Sequence, residues 1–263
     1  MELPVTVGVD TSAASLAAAE WAAAEAALRG RPLRVLHALP LMPHLLPSWA
    51  ATRPEPAALL HGVGHVLAQR HPFLPTRTEE VRDLATAALV AAAEDAELLV
   101  LAARGDGGFP GLRVGSTALR VAARAGCPTV LLPAAPLGRQ HREEVVVGVD
   151  ARSPAEAALE FAFAAAARYG LPLRALQAGR CPGGPADEAE LLAQVLAPWQ
   201  RTHPEVELWA TTEYGGGGQV LVAASEKSRL LVLGRRSTGS GLGSVAHAVL
   251  HHADCPVALV PQS

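Results

Sequence analysis

The chain has 263 residues, half of them hydrophobic but only 4% aromatic, so a sizeable core is expected and it must be built from Ala, Val and Leu. Net charge is −3, with both signs spread along the chain and no basic tract, which argues against nucleic acid as a main partner. No apolar run is long enough to span a bilayer, and the three cysteines are widely spaced without a metal-type pattern.

Met1 to Pro4 leads directly into a strand, with no charged n-region and apolar core, so a cytoplasmic chain with free thiols is expected. Val5 to Asp10 (VTVGVD) reads as a short strand ending on an aspartate. Thr11, Ser12 and Ser15 offer N-caps for a helix to about Arg29, which Gly30 closes. Leu33 to Leu39 is a second strand, and Pro40 to Pro56 a proline-rich loop carrying Trp49. A helix from Pro56 to Gln69, a polar strand from Thr76 to Arg82 and a helix from Asp83 to Ala93 follow. Leu98 to Ala103 is a fourth, buried strand. A loop with Gly105, Gly107, Gly108, Gly111 and Gly115 comes next, then a helix opened by Ser116 and stopped at Gly126. Thr129 to Leu132 is the fifth strand. Strands alternate with helices, which predicts a parallel sheet covered on both faces.

After a polar linker, Ala134 to Glu143, the pattern starts again, dividing the chain into domains 1–138 and 144–263. Val145 to Asp150 (VVVGVD) repeats Val5 to Asp10. Ala155 to Tyr169 repeats the first helix and Leu173 to Ala178 the second strand. A short loop from Cys181 to Pro185, a helix from Ala186 to Trp199, a strand from Glu205 to Thr212 and a helix from Gln219 to Glu226 complete the middle. Leu230 to Pro261 then repeats Leu98 to Pro133, with Gly234 answering Ala102, Gly243-Ser244 answering Gly115-Ser116 and Cys255 answering Cys127. Within the glycine loop, five residues (Thr238 to Leu242) separate Ser237 from Gly243, where nine separate Gly105 from Gly115.

Strand, glycine loop and helix N-terminus together form an arrangement that can hold phosphate. Few Cβ atoms let backbone N–H groups approach an anion, and the helix adds unpaired N–H groups and the positive end of its dipole. Arg104 and Arg113 flank the first loop and could neutralise phosphates, or they could be solvated. Asp10 and Asp150 at strand ends fit either a site or a turn.

The strand ending Gly-Val-Asp, the late G-x2-G-x9-G-[ST] loop and the following Cys-Pro strand, all in two copies, resemble the universal stress protein family over nearly the whole chain. The resemblance implies two tandem doubly wound domains, each a five-stranded parallel sheet of order 3-2-1-4-5. It also implies ATP, with Mg2+ as an accompanying ion, in the crevice between the first and fourth strands. Gly8, Val9 and Asp10 stand where that family meets adenosine, and Ala38, after His37, matches the residue whose backbone pairs with adenine. Ala102, Arg104, Gly105, Gly115, Ser116 and Thr117 match the phosphate loop, with Ala102 replacing its first glycine. In the second half Asp150, Ala178, Gly234, Gly243 and Ser244 match, but Ser237 replaces a glycine and the loop is shorter. The first domain is therefore expected to bind ATP as a regulatory signal, and the second weakly or only as adenosine.

No nucleophile–base–acid triad is visible, so at most slow hydrolysis is expected. The alternative is an interaction module with vestigial loops and no nucleotide. Gly215 to Gly218 could be a phosphate cradle but reads better as a flexible connection. His247 and His251 have zinc-compatible spacing, though an ordinary histidine pair near a helix C-terminus is the plainer reading. His37 reads as a packed histidine, and Cys127 and Cys255 as packing residues. In the resembling family the last strands of two domains pair antiparallel. The apolar, proline-closed strands Thr129 to Leu132 and Val257 to Val260 are thus expected to form an internal pseudo-dimer, with a homodimer as a further step.

Overall fold

The structure is a computed structural model and describes residues 2–39, 56–105, 112–133, 143–179, 186–235 and 241–262. It divides into two compact units, Met1–Ala134 and Ala135–Ser263. The proline-rich loop around Trp49, the Cys181 loop, most of the linker and the central parts of both glycine loops lie outside the described residues.

The first unit runs β1 (Val5–Gly8), α1 (Ala13–Arg29), β2 (Leu33–Leu39), α2 (Pro56–Arg70), β3 (Thr76–Arg82), α3 (Ala85–Glu94), β4 (Leu98–Ala102), α4 (Ser116–Arg124) and β5 (Thr129–Leu132). Every pairing in its sheet is parallel, and the order is β3-β2-β1-β4-β5, as the family resemblance implied. Val7 sits beside Val35 on one side and Val100 on the other, and all three are fully buried. Strands covered on both faces have no solvent side, so they carry continuous Val/Leu runs. The outermost strand, β3, has one open edge and a polar sequence, TRTEEVR.

Helix α1 shows why so alanine-rich a chain folds well. Alanine has the highest helix propensity, and Ala18, Ala19, Ala22, Ala23 and Ala26 form a buried face that lets the helix lie close on the sheet. Ser12 caps the start, its side chain accepting from Ser15 N at 3.1 Å. Gly30, at φ 63°, reverses the chain at the end, with its N–H and that of Arg31 closing onto Ala27 and Ala26 carbonyls. The buried Glu25 is paired with Arg29 at 2.6 Å, and Arg29 also reaches Glu97 at 3.1 Å. Removing one partner would leave an uncompensated buried charge.

The second unit runs β6 (Glu144–Gly148), α5 (Glu156–Tyr169), β7 (Leu173–Gly179), α6 (Ala186–Thr202), β8 (Leu208–Tyr214), α7 (Gly217–Ser225), β9 (Ser228–Arg235), α8 (Ser244–His252) and β10 (Val257–Pro261). Its strands pair in parallel with the same connectivity: β6 lies between β7 and β9, β8 flanks β7 and β10 flanks β9. Phe163 is fully buried and stacks on Trp199 and His203, at centroid distances of 6.1 and 5.2 Å. Burial of such a ring contributes about 1.5–3 kcal/mol.

Several boundaries differ from expectation: β8 runs from Leu208 to Tyr214 rather than from Glu205 to Thr212, and α3 from Ala85 to Glu94 rather than from Asp83 to Ala93. Helix α6 continues through Pro198 to Thr202, whose hydroxyl donates to the Pro198 carbonyl at 3.1 Å. Helix α4 ends at Arg124, before Gly126, because Ala125 turns into extended-type backbone. The glycine stretch 215–218 is only half a connection. Gly215, at φ 152°, makes the turn, while Gly217 and Gly218 are the first residues of α7. Among the described residues no helix is long and apolar enough to cross a membrane.

Candidate functional site

In the first unit β1 is central, and its neighbours β2 and β4 lead to helices on opposite faces. A crevice opens where the strand order reverses, beyond the carboxyl ends of these strands. It holds a cavity of about 450 Å³, within the usual range for small-molecule sites. Gly8, Val9, Asp10, Ala38, Ala102, Gly105, Gly115, Ser116 and Thr117 all line it. Residues far apart in sequence are thus brought to one place by the topology.

Asp10 is held in place by the residues after it. Its Oδ1 accepts from Ser12 N at 3.0 Å and from Ser12 Oγ at 2.5 Å. Ser15 Oγ accepts from Asp10 N at 3.1 Å and lies 2.8 Å from Asp10 O, to which it can donate. Ser12 thus serves both as the cap of α1 and as the clamp on the carboxylate. Gly105 completes the arrangement from the other side. A methyl group placed on it would lie 2.1 Å from Asp10 Oδ2, so only glycine fits with the carboxylate where it is.

Gly115, which also lines the cavity, is the N-cap of α4, and no side chain caps that helix. The first N–H groups of a helix have no intrahelical acceptor, and the residues that carry them here, Ser116, Thr117 and Ala118, line the cavity. Gly115 N donates to Ala103 O at 2.7 Å, tying the helix start to the end of β4. Among the described residues, a methyl group on Gly115 would meet only Ala103 O at 3.7 Å and Arg104 Cα at 4.0 Å, so these residues do not require glycine there. Arg104 does not line the cavity. Its guanidinium donates to Leu112 O at 2.8 Å and spans the loop from one described end to the other. Gly107, Gly108 and Gly111 fall outside the described residues.

Some lining residues were not singled out as site residues. Leu36, Leu89 and Leu101 form the apolar floor, and sequence alone marks them only as core. Gly8 belongs with them, since a methyl group on it would come within 2.7 Å of both Leu89 and Leu101. His37 is buried as expected, and its Nδ1 lies 2.7 Å from Val9 O, but it also lines the cavity. With the carbonyl as partner, Nδ1 must be the protonated nitrogen. Ser15 was an N-cap candidate; it lies one turn inside the helix and serves the aspartate instead.

The second unit places Asp150 beyond β6, Ala178 on β7, Gly234 on β9 and Gly243-Ser244 at the start of α8. Asp150 Oδ1 accepts from Arg152 N at 3.2 Å, and Gln177, in the place of His37, accepts from Ala151 N at 3.2 Å. Gly234 has a packing role: a methyl group there would lie 2.3 Å from Ala155 Cβ. Among the described residues nothing lies within 4 Å of the missing Cβ of Gly243. On α8 the His247 and His251 rings stack at 4.5 Å, and His251 Nε2 is buried without a hydrogen-bond partner. Burial, then the proximity of His247 and His252, lowers the His251 pKa from its ordinary value. Among the described residues no three His, Cys, Asp or Glu side chains are grouped to hold a metal. Cys127 and Cys255 are buried at equivalent positions.

The sequence was also compared with known proteins. The model of the universal stress protein family matches twice, over residues 2–133 and 141–261. The chain belongs to the universal stress protein family. Universal stress protein Rv2005c of Mycobacterium tuberculosis is 32% identical over 98% of this chain and 97% of its own length. Universal stress protein Rv2623 of the same organism is also 32% identical, over 99% of this chain and 97% of its own. Among solved structures, a universal stress protein from Archaeoglobus fulgidus matches with a TM-score of 0.76 and 17% identity, covering 98% of this chain and 96% of that one, a likeness in fold.

Proposed function

We propose that the first unit of this universal stress protein binds an adenine nucleotide, ATP in the fullest form, as a regulatory ligand. The observation that carries this reading is one cavity lined both by the clamped Asp10 carboxylate and by the uncapped start of α4. A carboxylate can accept from ribose hydroxyls, and a helix N-terminus suits the opposite, anionic end of the same molecule. The apolar floor of Leu36, Leu89 and Leu101 suits a flat base. The phosphates would supply most ligands of an accompanying Mg2+, as is usual for that ion. No chemical step is assigned to the chain's own side chains. Calorimetry of ATP against the intact chain tests this reading. Binding that is lost in Asp10→Ala supports it; no binding by the intact chain favours the interaction module.

For assembly, we propose that β5 and β10 pair antiparallel. Both are short, apolar strands at one end of their own unit's order, and such strands left open template aggregation. Cysteine pairs introduced along Thr129–Leu132 and Val257–Pro261 should cross-link within one chain. A homodimer is the further step, read by the mass in solution relative to 27.2 kDa.

A further inference from the structure

The glycines at 217 and 218 have no place in the nucleotide reading, yet the structure gives them a use. They begin α7, and α8 lies against them. A methyl group on Gly218 would come within 2.9 Å of Ala248 Cβ. One on Gly217 would lie 3.3 Å from Val245 Cγ2 and 3.8 Å from Ala178 Cβ. In the first unit the equivalent positions are Ala85, Thr117 and Ala38, and all three border the open cavity. In the second unit the corresponding three residues converge on one point within van der Waals distance.

A second contact closes the neighbouring part of the same crevice. Ala155 stands over Gly234; the equivalent residues of the first unit, Ser15 and Ala102, both line its open cavity. The missing side chain of Gly234 is thus compensated by the chain itself, leaving no room there for a ligand.

We propose that bare glycines at 217, 218 and 234 shut the second crevice by admitting Val245 and Ala155, and that Val245 is the residue that keeps adenosine out. The chain then takes one adenosine, in the first unit. The physical basis is packing: a crevice whose walls already touch offers no apolar area to bury, and a ligand would first have to separate them. Val245 remains partly exposed, so it seals the mouth of the crevice rather than its floor. Its replacement by a smaller residue therefore removes the obstruction without emptying the core.

The inference rests on the nucleotide reading of the first unit, and the test separates the two. Equilibrium dialysis of the intact chain with labelled adenosine should give one equivalent bound, and Asp10→Ala should abolish it. Val245→Ala should add a second, weaker equivalent, which persists in the Asp10→Ala/Val245→Ala double variant. A second equivalent already present in the unaltered chain, surviving Asp10→Ala, would overturn the closure. So would a Val245→Ala variant that still binds one equivalent. If the unaltered chain binds none and Val245→Ala binds one, the first-unit reading fails while the closure stands.

Discussion

The contact between Gly105 and Asp10 can be tested by a double-mutant cycle. In Gly105→Ala the new methyl would sit 2.1 Å from Asp10 Oδ2 and 3.2 Å from its Cγ. Ordinary contact requires the carboxylate to retreat by roughly 1 Å or more. That retreat pulls Oδ1 from Ser12 N and Ser12 Oγ, now at 3.0 and 2.5 Å. Hydrogen bonds to a charged group contribute about 1.5–3 kcal/mol each when well formed. Asp10 is half-buried, so a combined loss of about 1–3 kcal/mol is expected. With Asp10→Ala in place there is nothing to displace, and Gly105→Ala should then cost almost nothing. Stability is read by urea denaturation of the four chains: native, both singles and the double. A coupling of about 1–3 kcal/mol is expected. In parallel, ATP affinity should fall about tenfold or more in Gly105→Ala, since a carboxylate moved by that distance no longer meets its partner. Additivity of the two substitutions within about 0.5 kcal/mol would refute the contact as the reason for glycine at this position.

Gly115→Val should abolish ATP binding while leaving the melting temperature nearly unchanged, because no atom of the described residues lies closer than 3.7 Å to its first methyl. Gly243→Val, with nothing within 4 Å among the described residues, should leave affinity unchanged; the opposite pattern in calorimetry would reassign the working site. Gly8→Ala should destabilise the chain by about 1–3 kcal/mol by overpacking Leu89 and Leu101, each 2.7 Å from the added carbon, measured as a lower urea midpoint. His251 has a folded-state pKa lowered by burial and by His247 and His252, so the unfolded chain takes up its proton first. This histidine should leave stability undiminished above its ordinary value of 6.5 and reduce it as pH falls below that value toward the folded pKa. Melting temperatures measured from about pH 7.5 down to about pH 5, the span around histidine's ordinary titration, should show a flatter dependence in His251→Gln.

The fold was legible because its signals are redundant. VTVG, LRVLHAL and LLVLA are aliphatic runs too short for helices, and alanine-rich segments separate them. Duplication then supplies a second reading of every element. Asp10 and Gly115 stood out as candidates through the family resemblance, and both line the cavity. The boundary of α7 was missed because glycine disfavours helices by propensity, and tertiary contact with α8 overrides it at Gly217 and Gly218. The floor of the cavity was invisible for a different reason. Leu36, Leu89 and Leu101 differ from other core leucines only in having an empty space on one side, which no sequence pattern encodes.

Glycine itself is the ambiguous letter. Gly105 is bare so that a carboxylate of the chain can approach, Gly234 so that Ala155 can, and Gly218 so that one helix can lie on another. Among the described residues Gly115 and its counterpart Gly243 leave unclaimed space, so bare space at the helix start does not by itself tell the two units apart. Matching glycines and the acid between the two halves would therefore credit the second unit with a site it lacks on the reading proposed above. The discriminating residues are the small polar ones. Ser12, Ser15 and Thr117 are replaced by Arg152, Ala155 and Val245. Ser12 and Ser15 orient Asp10 and are capable of four of its local hydrogen bonds. In the second unit Asp150 keeps a backbone bond to Arg152 N, but the hydroxyl clamp is gone and Pro154 delays the helix to Glu156. A carboxylate acts on a ligand only when its direction is fixed before the ligand arrives, so the loss of two hydroxyls weighs more than the survival of the acid.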